Sequence, residues 1–269
     1  MALNAKLTSA EANIGLYLTG VSERPLPGIV LLHEIFGVNH AMEIAADGFA
    51  RAGFVVAAPD LYHAFAPGTA LSYQAVDRPR AVKLKSKLRE TEAVNDIAVV
   101  HHWLKRQPFC NGKVALLGFC LGGKLAALTA AADAPDCTVA FYPVHLENFL
   151  VEISRITCPI QIHLGKDDKH VAPVAREIIR RTICKRPRNE FIIYPAAGHG
   201  FYNSVRADAF HPRAAAEAHQ AALHFLKRWL AQDKTAPGFA SAAREAVPVV
   251  TYSVGEGSDA AQVAARQVR

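Results

Sequence analysis

The sequence has few cysteines, and no two of them form a C-x-x-C pair. The five cysteines lie at positions 110, 120, 137, 158 and 184. An odd number without paired spacing argues against a disulfide framework and a zinc site, and it is typical of a reducing compartment. The sequence also lacks an apolar run long enough to cross a membrane, and its start does not have the pattern of a secretion signal. We therefore expect a soluble, cytoplasmic protein without a membrane partner.

Charged residues make up only 20% of the chain, and the formal net charge is +6. The basic residues are scattered, apart from small clusters at 83–89 and 185–188. No aromatic residues interleave with these clusters, so the pattern does not indicate nucleic-acid binding. A mild positive field instead favours a small anionic molecule as the binding partner. The sequence says nothing about oligomeric state.

Apolar residues form 51% of the 269 positions, enough for one large core. Short apolar runs alternate with segments of helical periodicity, which predicts an α/β fold with a mostly parallel sheet and helices on both faces. We expect Asn13–Thr19 to be a half-buried edge strand and 81–106 to be one long helix. The predicted domain covers residues 1–233. Residues 234–269 are predicted to be a flexible tail, with one candidate strand at 249–254.

The segment 118–123 reads Gly-Phe-Cys-Leu-Gly-Gly and joins an apolar run to an Ala/Leu-rich run. This is the pattern of the nucleophile elbow of α/β-hydrolases, with Cys120 in place of serine. Small neighbours are needed because such a turn is strained and closely packed. The start of the following helix favours the thiolate form of Cys120. The alternative is a glycine-rich turn with an inert cysteine.

Two further candidates follow other predicted strands. Asp168 and His199 come after Cys120 in the order nucleophile, acid, histidine that α/β-hydrolases use. Cys120 would attack an acyl carbon, His199 would move the proton, and Asp168 would orient the imidazole. Asp167 is the competing acid. The predicted donors to the oxyanion are the backbone N–H groups of Leu121 and Ile35.

Several segments together resemble the dienelactone hydrolase family. They are His-Glu-Ile-Phe-Gly-Val-Asn (33–39), Ala-Pro-Asp-Leu-Tyr (58–62), Ala-Pro-Gly-Thr-Ala-Leu (66–71), Asn-Gly-Lys-Val (111–114), the elbow, and Ala-Gly-His-Gly-Phe (197–201). The resemblance covers about residues 10–230. It implies an α/β-hydrolase fold and hydrolysis of the enol-lactone carboxymethylenebutenolide to maleylacetate by a Cys-His-Asp triad. It also favours Asp168 over Asp167 and implies no cofactor.

The resemblance implies further roles at the site. Glu34 matches a glutamate that contacts the resting thiol and helps to activate it when substrate binds. The family binds the substrate carboxylate with two arginines. Arg80 matches the first, with Arg78 as an alternative. Asn203 stands where the second is expected, and Arg206 is the candidate replacement, so this departure concerns the exact substrate.

Other residues have competing interpretations. Tyr142 and Phe36 either shape the substrate pocket or simply pack near strand ends. Arg80 is either the substrate anchor or the solvated start of a helix. His101 and His102 are adjacent in a helical pattern without further metal-ligand spacing, so a helix surface explains them better than a metal site.

The sequence supports one main hypothesis and two alternatives. The main hypothesis is a cysteine hydrolase that opens a small, anionic enol-lactone. The first alternative keeps the triad for another small ester or thioester. The second is a binding or redox-sensing protein on a hydrolase scaffold.

The placement of Cys120 generates the first prediction. Cys120 alone combines a predicted helix N-terminus with a histidine partner, so it should be the single fast-reacting thiol. Limited alkylation followed by peptide mass spectrometry should place the label on Cys120 and abolish turnover. The comparison thiols are the other four cysteines, which we expect to behave as small apolar residues. Full activity in a Cys120→Ala variant would rule out the nucleophile assignment.

Overall fold

The computed structural model describes residues 3–8, 13–231 and, for the backbone alone, 250–252. These segments form one nine-stranded sheet with helices on both faces. The strands are β1 Ala5–Thr8, β2 Asn13–Thr19, β3 Leu26–Leu32, β4 Val55–Pro59, β5 Cys110–Phe119, β6 Cys137–Phe141, β7 Ile160–Gly165, β8 Glu190–Tyr194 and β9 Val250–Tyr252. The helices are α1 His40–Arg51, α2 Arg78–Lys87, α3 Glu90–Lys105, α4 Leu121–Ala132, α5 Leu150–Ser154, α6 Pro173–Ile183 and α7 Pro212–Leu230.

The strand order across the sheet is β8-β7-β6-β5-β3-β4-β2-β1-β9. The six strands from β3 to β8 pair in parallel, whereas β2, β1 and β9 each pair antiparallel with the strand before them in this order. The predicted α/β-hydrolase fold, with its mostly parallel sheet, is therefore confirmed.

The parallel strands are buried on both faces. In β3, Ile29 and Leu31 join the core layer that includes residues of α1 and α7. Val30 and Leu32 point the other way, into the layer formed with α3 and α4. Because successive side chains of a strand alternate between faces, a strand covered on both sides must be apolar at every position. This explains why continuous apolar runs marked these strands.

Two expectations about the outer elements were wrong. The segment Asn13–Thr19 is a strand but not an edge, because β1 and β9 continue the sheet beyond it. The predicted helix 81–106 is divided into α2 and α3 by Leu88, which has extended backbone angles. Lys83 and Lys87 repel each other one turn apart at the end of α2, while Glu90 favours a new helix start.

The C-terminal segment was predicted to contain a strand at 249–254. The structure has β9 at Val250–Tyr252, paired with β1. The other residues of the predicted tail, apart from these three, lie outside the described residues. The domain boundary at residue 233 therefore stays a prediction. Within the described segments, no helix is both long and apolar enough to span a bilayer.

Candidate active site

The candidate nucleophile lies in a sharp turn between β5 and α4. Cys120 has φ 53° and ψ −112°, an unfavourable conformation for a residue with a side chain. A Cβ atom on Gly118 would lie 2.1 Å from the Gly122 carbonyl oxygen, and one on Gly122 would lie 2.2 Å from the Leu32 carbonyl oxygen. Only glycine fits at either position. The backbone N–H of Cys120 donates to Phe141 O at 3.0 Å, which fixes the turn to β6.

The acid and the histidine follow β7 and β8. Asp168 Oδ2 accepts a hydrogen bond from His199 Nδ1 at 2.8 Å, and its Oδ1 accepts one from the backbone N–H of His170 at 2.8 Å. The Asp168 side chain is fully buried. The side chain of Asp167 is exposed, and its backbone N–H donates to Ala197 O at 2.9 Å. Of the two candidate acids, the structure therefore brings Asp168 to the imidazole.

The electrostatics of His199 depend on two neighbouring anions. Burial acts to lower the pKa of His199, but the thiolate of Cys120 and the carboxylate of Asp168 outweigh it and raise the pKa to about 10. Contact with the Cys120 side chain contributes to this rise in the pKa of His199. The imidazole therefore keeps its proton at neutral pH. Cys120 itself is half-buried, within reach of a small substrate.

Glu34 follows β3 and is also buried, so it is not part of a solvated surface loop. Its Oε2 accepts a hydrogen bond from Asn203 Nδ2 at 3.3 Å. Burial, followed by the charge of Glu34, raises the pKa of Tyr73, whose hydroxyl donates to Asn39 Oδ1 at 3.5 Å. Asn203, the residue that departs from the expected arginine, thus holds the Glu34 side chain. Sequence reasoning missed Tyr73, whose loop gave no periodic signal.

The two arginine candidates of α2, Arg80 and its alternative Arg78, are both exposed. Hydrogen bonds from Ser72 lower the pKa of Asp77, at the start of α2, and the charge of Arg80 adds to this effect. Burial lowers the pKa of His170, and the bond to Arg206 lowers that of Asp208. The charge of Arg78 adds to both effects. His170 packs its ring 4.5 Å from that of His199. The charge of Arg78 therefore reaches the His170 ring that packs on His199.

Arg206 lies near the Glu34 cluster. Its guanidinium is 5.6 Å from the centre of the Tyr73 ring and 2.9 Å from Asp208 Oδ2, and the Arg206 side chain is only 16% exposed. Burial acts to lower the pKa of Arg206, yet its bond to Asp208 and the charge of Glu34 raise the pKa overall. A cleft of about 620 Å³ is lined partly by Tyr73, Arg206 and Asp208.

The two aromatic candidates differ in what they contact. Tyr142 has φ 37° and packs against the His199 ring at 5.0 Å. Its buried hydroxyl has no hydrogen-bond partner within the described part of the chain, and burial followed by the charge of Glu34 raises the pKa of Tyr142. Phe36 is buried and packs on Tyr73 with ring centroids 4.5 Å apart. Tyr142 therefore presents a hydroxyl without a partner among the described residues, whereas Phe36 packs its ring on Tyr73.

The predicted oxyanion donors lie at the ends of two neighbouring strands. Leu121 is the first residue of α4, so its N–H has no acceptor within the helix. Ile35 is two residues beyond His33, which directly follows β3. Because β3 and β5 are adjacent and parallel, with Leu32 opposite Gly118, both donors lie at the same edge of the sheet.

One group in the described segments has the spacing of metal ligands. His101, His102 and Asp133 place their ligand atoms within 4.8 Å of one another. Asp133 already accepts hydrogen bonds from His101 Nδ1 at 2.8 Å and lies 3.0 Å from His102 Nε2, which accounts for the cluster without an ion. Asp133 caps the end of α4 opposite Cys120, so this group is remote from the site.

The chain is similar to proteins of known family. A sequence model of the dienelactone hydrolase family matches residues 14–230. A carboxymethylenebutenolidase from Pseudomonas putida is 35% identical over 213 residues, which cover 79% of this chain and 90% of that protein. A probable 2-oxo-3-(5-oxofuran-2-ylidene)propanoate lactonase from Bradyrhizobium is 27% identical over 236 residues, covering 82% and 91%.

The fold is also similar to that of a solved structure. The crystal structure of a putative dienelactone hydrolase from Klebsiella pneumoniae aligns with a TM-score of 0.72 and 23% identity, covering 87% of this chain and 99% of that one. At this level of identity the likeness supports the fold alone. Together with the match over residues 14–230 and the 35% identical relative, it shows that the chain belongs to the dienelactone hydrolase family and is a hydrolase acting on an ester or lactone.

Proposed function

We propose that this protein opens a small enol-lactone, dienelactone, to maleylacetate through a thioacyl-enzyme on Cys120. The observation that carries the proposal is the strained turn that presents Cys120 to a His199 held by Asp168. The names of the relatives, a carboxymethylenebutenolidase and a lactonase, agree with a lactone substrate.

The proposed reaction begins when the Cys120 thiolate attacks the lactone carbonyl carbon. The resulting oxyanion accepts hydrogen bonds from the N–H groups of Leu121 and Ile35; losing one such donor costs about 3 kcal/mol in the barrier. The ring C–O bond then breaks, and His199 gives its proton to the departing enolate oxygen. This step leaves an enol, which tautomerises to the ketone, and a thioester on Cys120.

Hydrolysis of the thioester completes the cycle. His199, now neutral, takes a proton from water as the water attacks the thioester carbonyl. The second tetrahedral intermediate expels the Cys120 thiolate, and the released carboxylic acid gives its proton to solvent. Asp168 stabilises the imidazolium whenever it forms and holds Nδ1 as the donor. The protons and electron pairs balance without a further reactant.

Glu34 is a second buried acidic residue of the candidate site. Tyr142 is sensitive to the charges of both Glu34 and Cys120, so the two groups lie in one electrostatic environment. We infer that the Glu34 carboxylate limits the amount of Cys120 thiolate in the resting enzyme. A bound substrate would then remove this effect. Asn203 holds the Glu34 carboxylate in the meantime.

The proposed substrate carries a carboxylate, and two arginines support its binding. Arg206 lies over Tyr73 in the Glu34 cluster, and Arg78 acts on His170 beside His199. Both arginines also lower the pKa of Asp208, so the two charges lie in the same part of the surface. We propose Arg206 and Arg78 as the anion site. Arg78 and Arg80 are both exposed, and Arg78 is preferred because its charge reaches His170. Tyr142 offers its free hydroxyl to the same ligand.

A cysteine esterase or thioesterase acting on a different small ester is the second candidate. The observation that favours it is Asn203, a neutral residue where the family pattern has an arginine. Turnover of cis- and trans-dienelactone, compared with that of an aryl acetate, distinguishes the two candidates. A wild-type preference for the neutral ester would contradict the dienelactone proposal.

The geometry of the acid predicts a selective loss. Asp168→Asn should lower turnover by up to about 10⁴-fold, as in other triads. The same variant should lower the pKa of His199 and move the high-pH loss of activity to lower pH, because an imidazole without its carboxylate loses its proton more readily. The measurement is a pH–rate profile.

Asp167→Asn is the matched control for this prediction. It removes the same charge one residue away, on a side chain exposed to solvent. Its turnover and pH profile should stay close to those of the wild type. If Asp167→Asn lost most of its turnover while Asp168→Asn kept it, the assignment of Asp168 as the acid would be wrong.

The proposed anion site predicts a loss that depends on substrate charge. Arg206→Gln and Arg78→Gln should each reduce use of an anionic lactone by roughly ten- to a hundredfold, since a charge-assisted contact contributes about 1.5–3 kcal/mol. Hydrolysis of a neutral aryl acetate should change little. The ratio of kcat/KM values for the two substrates is the measurement.

Arg80→Gln is the control, because Arg80 lies on the same helix and is exposed like Arg78, but its charge acts on Asp77. We expect this variant to leave kcat/KM unchanged for both substrates. A selective loss in Arg80→Gln, with Arg78→Gln unaffected, would return the role to Arg80. Equal losses on both substrates in Arg206→Gln would mean that Arg206 supports packing rather than the ligand.

A further inference from the structure

His33 is a fully buried imidazole that the proposed reaction does not use. Both ring nitrogens are engaged. Nε2 lies 3.1 Å from the backbone N of Leu61, and Nδ1 lies 2.5 Å from the backbone oxygen of Glu34. A backbone N–H can only donate, so Nε2 must be the bare nitrogen, and the proton must be on Nδ1. The neutral ring therefore donates from Nδ1 to the Glu34 carbonyl.

This carbonyl belongs to the peptide unit that ends in the Ile35 N–H. In a planar trans peptide the C=O and N–H bonds point in opposite directions, and the described residues contain no cis peptide. A bond that fixes the Glu34 oxygen consequently fixes the direction of the Ile35 N–H. The hydroxyl of Tyr62 donates to Ile35 O at 3.0 Å and holds the next peptide unit.

The same segment lies directly against the nucleophile turn. A Cβ atom on Gly122 would lie 2.8 Å from the His33 carbonyl oxygen. Gly122 is in the first turn of α4, two residues after Cys120. The backbone that His33 controls is therefore in contact with the element that presents the sulfur.

We propose that His33 is a positioning residue, whose hydrogen bond to the Glu34 carbonyl aims the Ile35 N–H at the substrate oxyanion. The inference rests on the proposed function, since it gives a support to one of its two donors. His33 does not touch the reacting atoms. It transmits its effect through one peptide unit, and Leu61 anchors the ring from the other side.

Burial suits this role. It lowers the pKa of His33, although the Glu34 carbonyl and the charge of Asp60 act in the opposite direction. A ring that stays neutral keeps Nε2 as an acceptor for Leu61 and Nδ1 as a donor to Glu34. The edge-on contact with the Tyr62 ring, with centroids 5.1 Å apart, holds the ring plane.

Two substitutions separate positioning from packing. His33→Asn keeps a nitrogen donor at the position of Nδ1 but loses most of the ring volume. His33→Phe keeps a ring but has no donor. Each variant is assayed for kcat and KM on an aryl acetate, for the iodoacetamide alkylation rate of Cys120, and for Tm. Alkylation does not involve an oxyanion, so it reports on the nucleophile alone.

Positioning predicts that His33→Phe loses about a hundredfold in kcat, by comparison with the roughly 10²–10³-fold cost of deleting an oxyanion donor. His33→Asn should stay within about tenfold of wild type despite a lower Tm. Cys120 alkylation should change by less than about threefold in both. A packing role predicts the reverse order, with His33→Phe the more active variant.

The inference is overturned if His33→Phe equals or exceeds His33→Asn in kcat, or if Cys120 alkylation falls in parallel with kcat. Those results leave the proposed function standing, because the wild type still turns over the ester. If the wild-type protein hydrolyses neither the aryl acetate nor dienelactone, the proposed function fails and this inference fails with it.

Discussion

The site depends on the close approach of two backbone segments at the carboxyl edge of the sheet. Gly122 places the first turn of α4 so near the end of β3 that a Cβ atom would lie 2.2 Å from the Leu32 carbonyl oxygen. Gly118 also approaches α4 closely, because a Cβ atom there would lie 2.1 Å from the Gly122 carbonyl oxygen. A methyl group at either position would push α4 outward and carry Cys120 with it. The two proposed oxyanion donors, one from each segment, keep their spacing only while this contact holds.

The second constraint is the balance of charge around the sulfur. Asp168 is fully buried on one side of His199, and Glu34 is buried within the cluster of Tyr73 and Asn203. Neither carboxylate is left without hydrogen bonds, as buried charges require. Asp168 raises the pKa of His199, whereas Glu34 raises that of Tyr142. The same region thus favours a proton on the imidazole of His199 and on the phenol of Tyr142.

Much of this arrangement follows from local sequence. Strands buried on both faces are apolar at every position, so β3 and β5 were recognisable, and the glycines around Cys120 marked the turn. Asp168 and His199 were predictable because residues that follow parallel strands meet at one edge. The structure then separates Asp168 from Asp167 by burial, a property that adjacent residues in a loop do not reveal in sequence.

What the sequence did not predict depends on contacts between distant segments. Leu88 interrupts a helical pattern because like charges meet at the end of α2, and periodicity alone did not reveal this interruption. β1 is four residues long, too short for its alternation to be decisive, and it is stabilised by pairing with β2 and β9. The role of His33 depends on Leu61, 28 residues away.

The central claim is that Cys120 forms a covalent acyl intermediate, and acid-quenched mass spectrometry tests it most directly. Wild-type protein mixed with excess aryl acetate and quenched during turnover should gain the mass of one acetyl group, because thioesters survive acid. Peptide mapping should place the group on Cys120, and a Cys120→Ala variant should gain no mass. Steady turnover with unmodified Cys120, or an acetyl group on another residue that forms and decays at the turnover rate, would contradict the account.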